Sequence, residues 1–132
     1  MAEANNMERW KRGLEVMEQV YGPGSSAMMA GREGSEYVAE TVNHLFGDIW
    51  ALPELSIRDK RLLVVGATAM LGRADLIAIQ LAGAIANGEL TDAQLDEMPL
   101  FMMFYVGGGN TTALFQGIQQ AKARAKEMAE KA

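Results

Sequence analysis

The stretch GRADLIAIQLAGAIANG, residues 72–88, is aliphatic, small or glycine from Leu76 almost to its end, and one long amide, Gln80, interrupts it. A run of this length with apolar groups at steps of three and four reads as a buried helix, not a strand, because no period-2 alternation is sustained. Gly88 is placed to end it as a left-handed C′ residue. With residues 69–84 laid on one helix, broken or not near Gly72, Ala69, Arg73, Leu76, Gln80 and Ala84 share a face. Ile77, Leu81 and Ile85 take another. An unpaired buried amide costs about 1–3 kcal/mol, so Gln80 is expected to have a partner. That partner is either a loop carbonyl or neighbouring subunit, or a ligand in a pocket bordered by this face.

Outward from this segment, the same helical signals recur. Residues 6–20 carry Trp10, Leu14 and Met17 at helical spacing, and the glycine-rich 21–34 reads as a loop. Ser35 is a candidate cap for a helix ending at Gly47, and DIWALPEL is a connection closed by Pro53. Ser56 is placed to cap a helix running to about Gly72, which meets the 74–87 helix there. Thr91 and Gln94 form a capping-box pattern opening a helix through LFMMFYV, with Pro99 kinking it or delaying its start. GGGN, residues 107–110, reads as a turn before a last helix that becomes a charged tail. The expectation is an all-α single domain, 1–132, of about six helices, without repeats.

Composition narrows the chemistry. The 132 residues suit one domain, and nearly half of them are apolar. The net charge of −5 argues against a phosphate-binding surface, so no nucleic-acid partner is expected. The absence of cysteine removes disulfides, thiolate catalysis and cysteine-ligated metals. Glu40, His44 and Asp48 lack the imidazole or thiolate set that zinc wants, so no metal and no cofactor are expected. The opening MAEANNMERWKR has no apolar leader stretch, and no segment reads as a membrane span. A soluble cytoplasmic protein is expected. The ten methionines fit helix–helix packing or an adaptable surface.

Residues 47–97, GDIWALPELSIRDKRLLVVGATAMLGRADLIAIQLAGAIANGELTDAQLDE, resemble the carboxymuconolactone decarboxylase family, a relative of the AhpD-type alkylhydroperoxidases. Gly47, Ile49, Trp50, Pro53, Leu55, Arg58, the Leu62–Leu71 helix, Arg73, Ala84, Asn87, Gly88 and Thr91 carry the likeness. It continues through GGGNTTALFQGI and covers roughly residues 36–120. The resemblance implies an AhpD-like helical fold, trimers or hexamers, and cofactor-independent chemistry in aromatic catabolism. The departures are informative. The glutamate, C-x-x-C pair and histidine of the peroxidase branch fall on Arg61, Arg73, Leu76 and Gln80, so no peroxide reduction is expected. The decarboxylase branch has histidine where this chain has Gln80, and glutamine exchanges no proton usefully.

His44, the single histidine, is the remaining imidazole. It shares a helix face with Tyr37 and Glu40, and Glu40 is placed to orient it as a general acid–base pair. Arg58 and Arg73 suit bidentate binding of a substrate carboxylate. Gln80 suits a lactone or enolate oxygen, and Trp50 is either a packing anchor or a substrate platform. Two functions follow. One is an enzyme that decarboxylates, isomerises or hydrolyses a small carboxylated lactone or ring-cleavage product. The other is an oligomeric binding or scaffold protein that kept the fold without the catalytic histidine.

Overall fold

In the computed structural model, backbone is described for residues 2–131 and side chains for residues 5–131. Six helices and no strand occur among the described residues. They divide into two compact units at Ile57 and Arg58.

The first unit is built on a close crossing. Helix α1, Ala2–Tyr21, packs against α2, which begins as an α-helix at Glu36–Ala39 and widens into a π-helix over Glu40–Trp50. Ser35 caps α2 by accepting from the Val38 amide, as its position suggested. Gly47 does not end the helix. It is buried at the crossing, where a Cβ would stand 2.9 Å from the Arg9 carbonyl oxygen, so glycine serves approach there and not termination. Gly13 does the same from α1, where a Cβ would overlap the Val42 carbonyl oxygen. Val16, Met17, Val20, Val42 and Phe46 fill the seam. The intervening loop holds one 3₁₀ turn, Ser25–Met29. Glu18 holds that loop by accepting from the Ser25 hydroxyl and the Gly24 and Ser26 amides.

The second unit comprises α3, Ile57–Met70; α4, Ala74–Ala86; α5, Asp92–Val106; and α6, Gly108–Lys131. Helix α4 is apolar on nearly every side and accordingly lies buried, packed mainly on α6. Small residues permit that approach: a Cβ on Gly117 would come within 2.6 Å of Ile77 Cγ2. Ile77, Leu81, Leu95, Leu114 and Ile118 complete the core.

The turns set where α4 begins and ends. At both Gly72 and Gly88, φ is +67°. Each lies in a Schellman turn, with Arg73 N–H donating to Thr68 O and Glu89 N–H to Ala84 O. Thr91 and Gln94 make the reciprocal capping box of α5. Pro99 does not delay that helix, which starts at Asp92 and runs through it. The 107–110 turn reduces to Gly107 at φ +84°; its carbonyl accepts from Thr111 N–H, and Gly108–Asn110 are already helical. Asn110 then donates to the carbonyls of Met70 and Val106, tying the ends of α3 and α5 to the start of α6.

The α1–α2 crossing makes a direct prediction. Gly13→Ala forces a methyl group into the Val42 backbone, which cannot yield as a side chain would. A loss of about 3 kcal/mol is expected in chemical denaturation. Gly34→Ala, where a Cβ meets open space, should cost far less.

Candidate functional site

The six residues singled out in the sequence fall three in each unit. In the first, His44 Nδ1 lies 3.3 Å from Asp48 Oδ2, one turn on. Its partner is therefore Asp48 and not Glu40, which stays exposed where α2 changes from α to π geometry. Asp48 is the better anchor because α1 holds it. Arg9 Nη2 donates to its Oδ2 at 2.6 Å and Arg12 Nη2 to its Oδ1 at 2.9 Å, while Arg12 Nε donates to Gly47 O. The Arg9 hydrogen bond outweighs desolvation, and with His44 and Arg12 it lowers the Asp48 carboxyl to about 2. An ionised carboxylate against Nδ1 favours the proton there and leaves Nε2 as acceptor. The imidazole is about half exposed, 55 % by side chain. Trp50, by contrast, is 7 % exposed and stacks on Phe46, with ring centroids 6.2 Å apart. It anchors the interior of this unit.

In the second unit, Gln80 finds its partner inside the protein. Arg61, fully buried on α3, donates from Nη1 to the Gln80 backbone oxygen at 2.7 Å and to Gln80 Oε1 at 3.3 Å. Its other two nitrogens grip one carboxylate: Nε donates to Glu89 Oε1 at 2.7 Å and Nη2 to Glu89 Oε2 at 2.9 Å. This bidentate fork is the strong form of the ion pair. Asn87 Nδ2 adds a hydrogen bond of 2.9 Å to Glu89 Oε2, and Arg58 Nε donates to the Glu89 backbone oxygen at 3.1 Å. Burial raises the Glu89 pKa, but the hydrogen bonds from Arg61 and Asn87 and the charges of Arg61 and Arg58 outweigh it. The net effect is to lower it, so Glu89 is ionised at neutral pH.

Arg73 does not join this group. Gly72 breaks the helix, and Arg73 has non-helical φ and ψ of −97° and 79°, so the face projected through Ala69, Arg73 and Gln80 is not continuous. Its guanidinium is exposed and pairs with Asp75 at 2.8 and 2.9 Å. The hydrogen bond from Arg73 lowers Asp75 to about 2.

The sequence singled out Gln80 and His44 but did not show that Arg61 and Glu89 surround the former or that Asp48 pairs with the latter. One signal was present: positions 61 and 80 carry a donor and an acceptor that can pair with each other. Elsewhere in this unit, α3 and α5 border a cleft of about 300 Å³ lined by Leu62, Val65, Met98, Phe101 and Met102, with Glu97 as its charged residue. That lining offers no cation to a carboxylate. No helix among the described residues is long and apolar enough to cross a membrane, and no group of three or more His, Cys, Asp or Glu is arranged to hold a metal ion there.

The all-helical fold has a family setting. The model of the carboxymuconolactone decarboxylase family matches residues 35–120, from the cap of α2 into α6, and the chain belongs to that family. A search of curated proteins gave no match.

Two predictions arise here. Glu89→Ala leaves the buried Arg61 guanidinium without its counter-charge and should destabilise the fold by about 3–5 kcal/mol in urea titrations. The double substitution Arg61→Met, Glu89→Leu should recover most of that loss. For Asp48, the folded value near 2 lies below the ordinary 3.8. Its ion pairs therefore contribute fully above about pH 4 and are lost as pH falls toward 2. Asp48→Asn should flatten stability against pH across that window in an acid-unfolding series.

Proposed function

We propose that this chain is a non-catalytic, oligomeric binding member of the family, one that kept the fold and takes a small carboxylate or lactone. One observation carries this reading. The amide oxygen of Gln80, the residue that the resemblance sets at the histidine position of the decarboxylase branch, is engaged by the buried Arg61, itself closed by Glu89. An amide, a guanidinium and an ionised carboxylate locked together provide no group that exchanges a proton near neutral pH. The arginines instead favour an anionic ligand.

The oligomeric part is supported by α5. Leu100, Phe101, Met103, Phe104 and Tyr105 are all largely exposed on the single chain, Phe104 by 81 %. A helix apolar around most of its circumference is expected to be covered.

A second reading is favoured by the His44–Asp48 pair, an exposed imidazole oriented by an ionised carboxylate. In it the chain is a cofactor-independent enzyme that decarboxylates, isomerises or hydrolyses a small carboxylated lactone or ring-cleavage product. His44 moves the proton and Asp48 orients it, with Glu40 nearby in sequence.

A panel of carboxylated lactones and ring-cleavage acids separates the two. With the native chain, CO2 release and ultraviolet absorbance are expected to stay at the blank, while a bound member of the panel raises the melting temperature. Turnover that falls about 10²–10⁴-fold in His44→Ala would establish the enzyme instead. In sedimentation the native chain should exceed its 14.3 kDa mass, and Phe104→Lys should shift it to smaller species while leaving its CD spectrum unchanged.

A further inference from the structure

Arg61 is an unusual residue to bury. Its side chain is 0 % exposed, yet its contacts to Glu89 are those that a carboxylate-binding site would make. Nε and Nη2 present a planar two-point fork, Nη1 is held by Gln80, and the Asn87 amide meets the second carboxylate oxygen. Arg58 adds a second positive charge beside it. This is the donor arrangement that recognises a planar carboxylate, and the carboxylate in it is the chain's own.

The backbone around Glu89 is fixed independently of that contact. Its amide closes the Schellman turn onto Ala84 O, and the next residue, Leu90, is buried in the core. Thr91 then begins the capping box of α5. Rotation of the Glu89 side chain about its own torsions is enough to vacate the fork, and the turn, built from backbone bonds, does not need to open. The Glu89 side chain keeps 13 % exposure, so it reaches solvent where the buried Arg61 does not. Exchange of one carboxylate for another leaves the pairing of Arg61 unchanged and returns the Glu89 charge to water, which offsets the ordering cost of the incoming ligand.

We propose that Arg61, with Gln80 and Asn87, forms a carboxylate-binding site, that Glu89 occupies it as an internal plug, and that a small free carboxylate competes with Glu89 for it. This rests on the binding reading above and names the ligand class and the residues. The space vacated is that of a glutamate side chain end, so the ligand is a short, planar carboxylate of acetate or propionate size, or a larger molecule that inserts such a group.

The test uses sodium acetate as the probe, with sodium chloride at equal ionic strength as the control. Glu89→Ala should melt lower than the native chain, and acetate should raise its melting temperature by about 5 °C or more at saturation. Chloride should not. If Glu89→Ala is unfolded in chloride, acetate-dependent recovery of the helical CD signal is the same positive outcome. Glu89→Gln, which keeps the bulk of the side chain, should show a smaller acetate-specific rise. Arg61→Met in the Glu89→Ala background should abolish the effect. The native chain should need at least about 10-fold more acetate for half of its own shift, the mark of competition with the plug.

No acetate-specific effect in either Glu89 variant overturns the site while leaving the binding reading to be sought elsewhere on the protein. An effect in the variants with none in the native chain overturns the competition and makes Glu89 a permanent latch. Release of CO2 from the lactone panel would defeat the non-catalytic reading without touching the acetate result.

Discussion

A guanidinium without access to water must be neutralised and its donors satisfied, and in this chain that requirement falls on Arg61. It draws together α3, which carries it, α4, which supplies the Gln80 side-chain and backbone oxygens, and the α4–α5 connection, which supplies Glu89. Replacing such a pair by apolar residues is often neutral or stabilising. Its worth here therefore lies in specification: a register error between α3 and α4 would strand a charge in the core. The turns are arranged to serve this contact. The glycine at 88 lets the chain reverse within one residue, so the carboxylate at 89 is delivered back toward α3.

The same logic explains how a polar pair sits in this core without disturbing it. Gln80 offers an amide that cannot transfer a proton but can accept a hydrogen bond, and facing it at position 61 is a donor. The polar groups on α3 and α4 still satisfy each other, so the core around Ile77, Leu81 and Leu114 is undisturbed. The first unit keeps a second polar centre of different character, with Asp48 gripped by two arginines of α1 and an imidazole left accessible at its edge. One chain thus holds a buried ion pair that closes Arg61 in the core and an exposed one that fixes Asp48 beside an accessible imidazole.

Glycine has two physical roles here that sequence position alone does not distinguish. At Gly72, Gly88 and Gly107 it supplies positive φ and reverses the chain. At Gly13, Gly47 and Gly117 it removes a side chain so that helices can touch. Gly47 looked like the first kind, following a helical run and preceding a connection, and turned out to be the second. The helix passes through it as a widened π turn, and Gly47 is not among the glycines with positive φ.

The sequence by itself determined the helical class, the number of helices, the caps at Ser35 and Thr91 and the turns at Gly72 and Gly88, because these depend on local periodicity and on residues with special backbone preferences. It also marked Gln80 as out of place in an apolar run. It could not say what Gln80 meets, because its partner lies 19 residues away and the contact follows from how α3 and α4 pack. It placed Arg73 on the Gln80 face because a helical projection ignores the break at Gly72, and it paired His44 with Glu40 because both candidate carboxylates stand one turn away. The choice of Asp48 was made by Arg9 and Arg12 arriving from α1, and the closure of Arg61 by Glu89 arriving from the turn after α4. Local propensity writes the elements; which charges neutralise which is a property of distance in space, and the tertiary structure alone supplies it.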